Sequence, residues 1–138
     1  MAINVRNKGA SAEREVIGLL QPVVDKVYTA YGRVPPKLTR NLEQTRCGGH
    51  DLVGLDWLAL EVKRCETLKI TEWWKQAVRQ AGADKLPVLI YRQNGKAWNI
   101  RMPVQAGVGR GLQMPLVVEM NLMGFLWWLE ERLKSDLE

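Results

Sequence analysis

Apolar residues between Asp51 and Cys65 flank a short polar break, with Leu52 and Val53 before it and Leu58, Ala59, Leu60 and Val62 after it. Short apolar runs bounded by turn-forming residues predict two buried strands, with Gly54-Leu55-Asp56-Trp57 as the turn between them. Upstream, Ala12, Val16, Leu19, Leu20 and Val23 recur at helical spacing. They predict a helix from Ala12 to about Lys26, capped by Ser11 and kinked or ended early by Pro22. Downstream, Thr71 opens a helix through about Ala83, in which Trp73 and Trp74 cannot share one face. Val88 to Arg92 reads as a buried strand, and Gln93-Asn94-Gly95-Lys96 turns it into a second strand over Ala97–Met102. The glycine-rich residues 103–114 read as a mobile loop. Residues 119–138 read as an amphipathic helix with Leu122, Phe125, Leu126, Leu129 and Leu133 on one side, widened by Trp127 and Trp128. Strands interleaved with helices predict an α/β fold in one domain spanning residues 1–138.

The polar residues of the first strand pair carry the chemistry. With the turn centred on Asp56, Asp51 lies opposite Glu61, and strand alternation puts Lys63 on the same face as Glu61. Leu52, Leu60 and Val62 then point to the other face. A slip of one residue would separate the two carboxylates, so the reading depends on this register. Two carboxylates can bind Mg²⁺, which prefers hard oxygen ligands and keeps several waters. Such an ion polarises a phosphoryl oxygen and acidifies bound water, and a nearby ammonium orients the nucleophile. The same residue types also solvate many ordinary surface hairpins.

The chain of 138 residues carries a net charge of +5 and a pI near 9.4. Residues 1–118 hold 18 Lys/Arg against 10 Asp/Glu, whereas residues 119–138 hold 2 against 5. A basic body suits a polyanion, although solubility alone also explains it. Residues 27–45 form a basic arm or insertion, broken by Gly32 and Pro35-Pro36 and charged by Arg33, Lys37 and Arg40, with Arg46 just beyond it. Either it grips nucleic-acid phosphates or it is a solvated connection. Cys47 and Cys65 make neither a zinc set nor a disulfide framework and read as reduced, buried or half-buried thiols. No membrane-spanning run or secretory leader is visible, so the expected setting is cytoplasmic, a host cytoplasm if the gene is a phage's.

The segments KGASAERE, GGHDLVG and LEVK, in this order, resemble the archaeal-type Holliday junction resolvases of the PD-(D/E)XK nuclease superfamily. The resemblance covers about Lys8 to Met102, with a gap in the middle, and implies a restriction-endonuclease-like αβα core, a central mixed β-sheet flanked by helices. Carried over by position, Glu13 matches the helix glutamate, Asp51 the strand aspartate, and Glu61 and Lys63 the E-x-K pair. The resemblance implies that Glu13, Asp51 and Glu61 hold Mg²⁺, with Mn²⁺ able to substitute, and that Lys63 supports the attacking water. It also puts Arg14 beside the scissile phosphate. With Lys8, Arg33, Lys37, Arg40, Arg46 and Arg92, Arg14 makes up the expected DNA-binding set. His50 stands where the superfamily pattern has proline, and reads as structural or DNA-facing. Gln76 invites an accessory role at the site, against the plainer reading of a solvent-facing helix residue.

These residues point to a homodimer that resolves four-way DNA junctions, because two symmetric nicks need two sites related by a dyad. The alternatives are a nuclease of the same superfamily acting on duplex, flap or other branched DNA, or a non-catalytic DNA-binding protein on the same fold.

Overall fold

A computed structural model describes residues 2–42, 51–108 and 112–138, and the side chains of 9–42, 51–104 and 116–138. The chain begins with helix α1 (Ala2–Ala30), followed by the short strands β1 (Thr39–Arg40) and β2 (Leu52–Val53) and the long strand β3 (Leu58–Cys65). Helix α2 (Ile70–Ala81) connects β3 to β4 (Leu86–Gln93). Strands β5 (Asn99–Val108) and β6 (Leu112–Asn121) then lead to helix α3 (Leu122–Leu137). The six strands form one sheet in chain order. β3 and β4 run parallel, and every other neighbouring pair is antiparallel. A parallel pair needs a crossover of a dozen or more residues, and α2 supplies it.

The helices cover the sheet from both sides. Leu60, Val62, Val88, Ile90, Ile100 and Met102 pack against Val16, Leu20 and Val24 of α1 and Phe125, Leu129 and Leu133 of α3. On the opposite face, Leu89 and Tyr91 meet Trp73 and Ala77 of α2. Strand alternation produces this division, since Glu61 pairs with Leu89 and Lys63 with Tyr91 on β4. Glu61 and Lys63 therefore stand on the α2 side. The mixed sheet between helical layers is the restriction-endonuclease-like αβα core that the sequence implied.

Several boundaries differ from the sequence reading. Helix α1 begins ten residues before Ala12, so Ser11 lies inside it and caps nothing. It also continues through Pro22, which is exposed, as is Gly18 one turn earlier. The lost hydrogen bond and the displaced carbonyl fall on the solvent side, while Ala12, Val16, Leu20, Val24 and Val27 stay buried along the inner stripe. Residues 27–30, expected in the arm, form the last turn of α1, and Thr39-Arg40 joins the sheet edge. Helix α2 starts at Ile70 with no side-chain cap and ends at Ala81, where Gly82 takes a φ of 65°. Trp73 is buried in the second cluster and Trp74 packs partly against it, so the two rings do divide between core and surface. Most of the expected loop over 103–114 is strand, paired continuously from Asn99↔Asn121 to Val108↔Leu112. Cross-strand pairing overrides the weak strand preference of Gly107. Residues 119–121 end β6, and Asn121 caps α3 by accepting from the Gly124 amide at 2.8 Å. Arg46, Cys47 and His50 lie outside the described residues, as does the side chain of Lys8. Cys65 ends β3 as a half-buried free thiol.

Gly54 is where the hairpin depends on glycine. Its φ of 139° disfavours any L side chain, and a Cβ there would stand 2.8 Å from both Leu38 Cδ2 and the Lys37 carbonyl oxygen. Replacement by alanine should strain β2 and push away the edge strand β1. We expect Gly54→Ala to destabilise the fold by roughly 1–3 kcal/mol in denaturant unfolding, and an unchanged midpoint would show that the turn tolerates a side chain.

Candidate active site

Asp51 is held from three directions although it precedes β2. Its amide donates to the Leu60 carbonyl at 2.8 Å, and its carbonyl accepts from the Asn41 amide at 2.8 Å. Its side-chain Oδ2 accepts from the Val62 amide at 2.7 Å. These bonds fix the carboxylate against β3. Leu52 pairs with Leu60, which is the register centred on Asp56, so Asp51 stands across from Glu61. Leu52, Leu60 and Val62 lie in the main core beneath them.

Glu61 is 2% exposed. Its Oε1 accepts from the Gln76 amide at 3.2 Å and faces the Lys63 ammonium at 3.6 Å. Its Oε2 is buried with no hydrogen-bond partner. Burial pushes the Glu61 carboxyl up to about 8, and the neighbouring charge of Asp51 and a hydrogen bond between the two carboxyls push in the same direction, against the pull of Lys63. Two carboxyls brought together with an orphaned oxygen need a shared proton or a cation between them.

Glu13 enters from α1. It is 9% exposed, and burial raises its pKa, helped by Asp51 and opposed by Arg40 and Arg14. Its Oε2 accepts from Arg40 Nε at 2.7 Å. Asp51 and Glu61 thus stand side by side with Lys63 at 3.6 Å from Glu61, while Glu13 feels the charge of Asp51 and is bonded to Arg40 of the edge strand β1.

Buried hard oxygen donors with one oxygen unpartnered fit a divalent metal, and Asp51 and Glu61 are the pair that would hold one. Among the described residues, no three or more His, Cys, Asp or Glu side chains form a ready-made metal cluster. Arg40 holds Glu13 Oε2, so its guanidinium competes with any cation for that oxygen.

The sequence reading gave Gln76 the lesser role of a solvent-facing residue, yet its amide holds Glu61. Its spacing of three residues from Trp73, a ring that had to choose a face, was the available signal. Tyr91 stands beside Lys63 in the sheet register, and its hydroxyl donates to Glu119 at 2.7 Å. Burial and then Glu119 push this phenol up to about 12, which leaves it a donor rather than a base.

The expected DNA-binding residues fall into two groups. Arg40 pairs with Glu13, and Arg92 pairs with Glu15 at 3.1 Å while stacking over Trp98 at 5.0 Å. Arg14, Arg33 and Lys37 are exposed. Glu15 gathers Arg64, Arg92 and the Trp98 indole N–H.

In comparison with known proteins, residues 4–125 match a family described as "Phage putative PDDEXK endonuclease". That match supports the superfamily of the sequence reading, but through a phage endonuclease family and not the archaeal junction resolvases. No curated protein and no solved structure matches the chain.

Because Glu61 has a raised pKa in the fold, it takes up a proton on folding near neutral pH. Its contribution to stability is full below the ordinary value of 4.5 and is lost as pH rises through about 8. In metal-free solution the melting temperature should therefore fall across that window, and Glu61→Gln should flatten the fall. Parallel pH profiles for the two proteins would mean that Glu61 titrates normally.

Proposed function

The chain belongs to the phage PDDEXK endonuclease family, and from that premise we propose that it is a Mg²⁺-dependent endodeoxyribonuclease that nicks four-way DNA junctions in pairs. The observation that carries the hydrolytic reading is the buried Asp51–Glu61 pair, with its unpartnered Glu61 oxygen and Lys63 at 3.6 Å. Asp51 and Glu61 would hold the cation, and Glu13 would complete the set once free of Arg40. Mn²⁺ should substitute, having the same taste for oxygen ligands. When bound, the cation supplies charge stabilisation at the phosphoryl group and acidifies water.

The protein's own groups do the rest. Gln76 fixes the rotamer of Glu61, and the Val62 amide fixes that of Asp51. Lys63 has its side chain about a quarter exposed, so its ammonium can reach substrate while still facing Glu61. It positions the attacking water and offsets charge that develops on the phosphate. Attack of the water oxygen on phosphorus forms one P–O bond and breaks the bond to O3′, leaving 5′-phosphate and 3′-hydroxyl ends.

The junction as substrate is supported by the order and wording of KGASAERE, GGHDLVG and LEVK, and the homodimer by the two-fold symmetry that paired nicking requires. No described helix is long and apolar enough to cross a membrane. The phage family favours work in a host cytoplasm.

Purified protein should nick a labelled immobile junction symmetrically with Mg²⁺ and leave it intact with EDTA. Asp51→Asn should lower the rate by at least about 100-fold while still binding the junction. Equal cutting of a matched linear duplex would keep the nuclease and discard junction selectivity. Binding without cleavage in either Mg²⁺ or Mn²⁺ would leave a DNA-binding protein on a nuclease fold.

A further inference from the structure

Most arginines around the sheet are already occupied by carboxylates: Arg40 by Glu13, Arg64 and Arg92 by Glu15, and Arg101 by Glu119. An ion-paired guanidinium has its charge offset and some of its five N–H donors taken, so its carboxylate competes with any phosphate for it. The cations of helix α2 differ. Lys69, just before the helix, and Lys75 and Arg79 within it are exposed, and among the described residues none of them forms an ion pair or a side-chain hydrogen bond.

Their place on the helix matters. Trp73, Ala77 and Ala81 are its buried face. Gln76 lies beside that face and reaches Glu61 at 3.2 Å, so its flank borders the carboxylate pair. Lys69 and Arg79 stand seven residues before and three after Gln76, which puts them on the same flank, and Lys75 lies four residues before Arg79 on the strip just outward. Glu72 on that flank offsets one of the three charges, leaving an excess of two.

We propose that Lys69, Lys75 and Arg79 form a rail on α2 that holds the backbone phosphates of the DNA strand running past Glu61. The inference deepens the nuclease reading and depends on DNA being the substrate. Gln76 ties the rail to the site, so a phosphate seated on α2 and a carboxylate on β3 keep a fixed separation. The contacts are to backbone and carry no sequence preference, which suits a protein that must act at many sequences.

The test is the salt dependence of binding by the full-length protein to a fluorescent junction and a matched duplex, in EDTA so that nothing is cut. Each phosphate contact contributes about 0.9 to the slope of log K against log salt for duplex DNA. Lys69→Ala with Arg79→Ala should reduce that slope by about two contacts' worth with little change in melting temperature, and Lys69→Arg with Arg79→Lys should retain it. An unchanged slope in the double alanine variant would overturn the rail, as would the absence of salt-dependent binding by the wild type. Mg²⁺ lanes run in parallel separate the two ideas. Cleavage with an unchanged slope removes the rail and keeps the nuclease, and a reduced slope without cleavage keeps the rail and removes the nuclease.

Discussion

Burying one ionised carboxylate beside another is among the more unfavourable arrangements a small domain can contain, because each loses water and each repels the other. Asp51 and Glu61 avoid it because burial and the charge of Asp51 push the Glu61 carboxyl up to about 8, so that Glu61 holds a proton near neutral pH, and the surrounding structure keeps the two groups together. The Val62 amide and the Gln76 side chain each satisfy one carboxylate oxygen, Lys63 faces Glu61, and Arg40 takes up Glu13. Glu61 Oε2 is left without a partner. A fold selected for stability alone would replace such a pair with apolar residues of similar size.

The rest of the architecture makes the pair rigid. β3 is paired on both sides, with β2 fixing the Asp51–Glu61 register and β4 extending the sheet in parallel. Helix α1 straddles this platform with an ionic anchor on each flank, Glu13 to Arg40 near the sheet edge and Glu15 to Arg64, Arg92 and Trp98 on the other side. Glu13 and Glu15 follow Ala12 around the helix in opposite directions, so one short acidic stretch reaches two separate parts of the sheet.

The hairpin was legible because its information is local. Strand alternation and a turn centred on Asp56 suffice to bring Asp51, Glu61 and Lys63 to one face, and the aliphatic residues between them leave one register with a buried side. Gln76 was less legible, since whether a helix flank meets a sheet or solvent depends on how α2 docks. The ion pairs of Arg40 and Arg92 could not be read from spacing, because each joins residues far apart in the chain. The length of α1 and the β5–β6 hairpin were hidden for a related reason. Pro22 and Gly107 are local breakers, and tertiary packing and strand pairing outweigh them.

The most direct test that the Asp51–Glu61 pair receives a cation is the proton balance of Mg²⁺ binding, measured by titration calorimetry near pH 7 in two buffers of different ionisation enthalpy. If Glu61 carries a proton in the metal-free protein, binding should release about one proton per ion, and Glu61→Gln should abolish the release. Heats that do not depend on the buffer, or an equal release from Glu61→Gln, would contradict the account and mean that the carboxylate pair does not receive the metal.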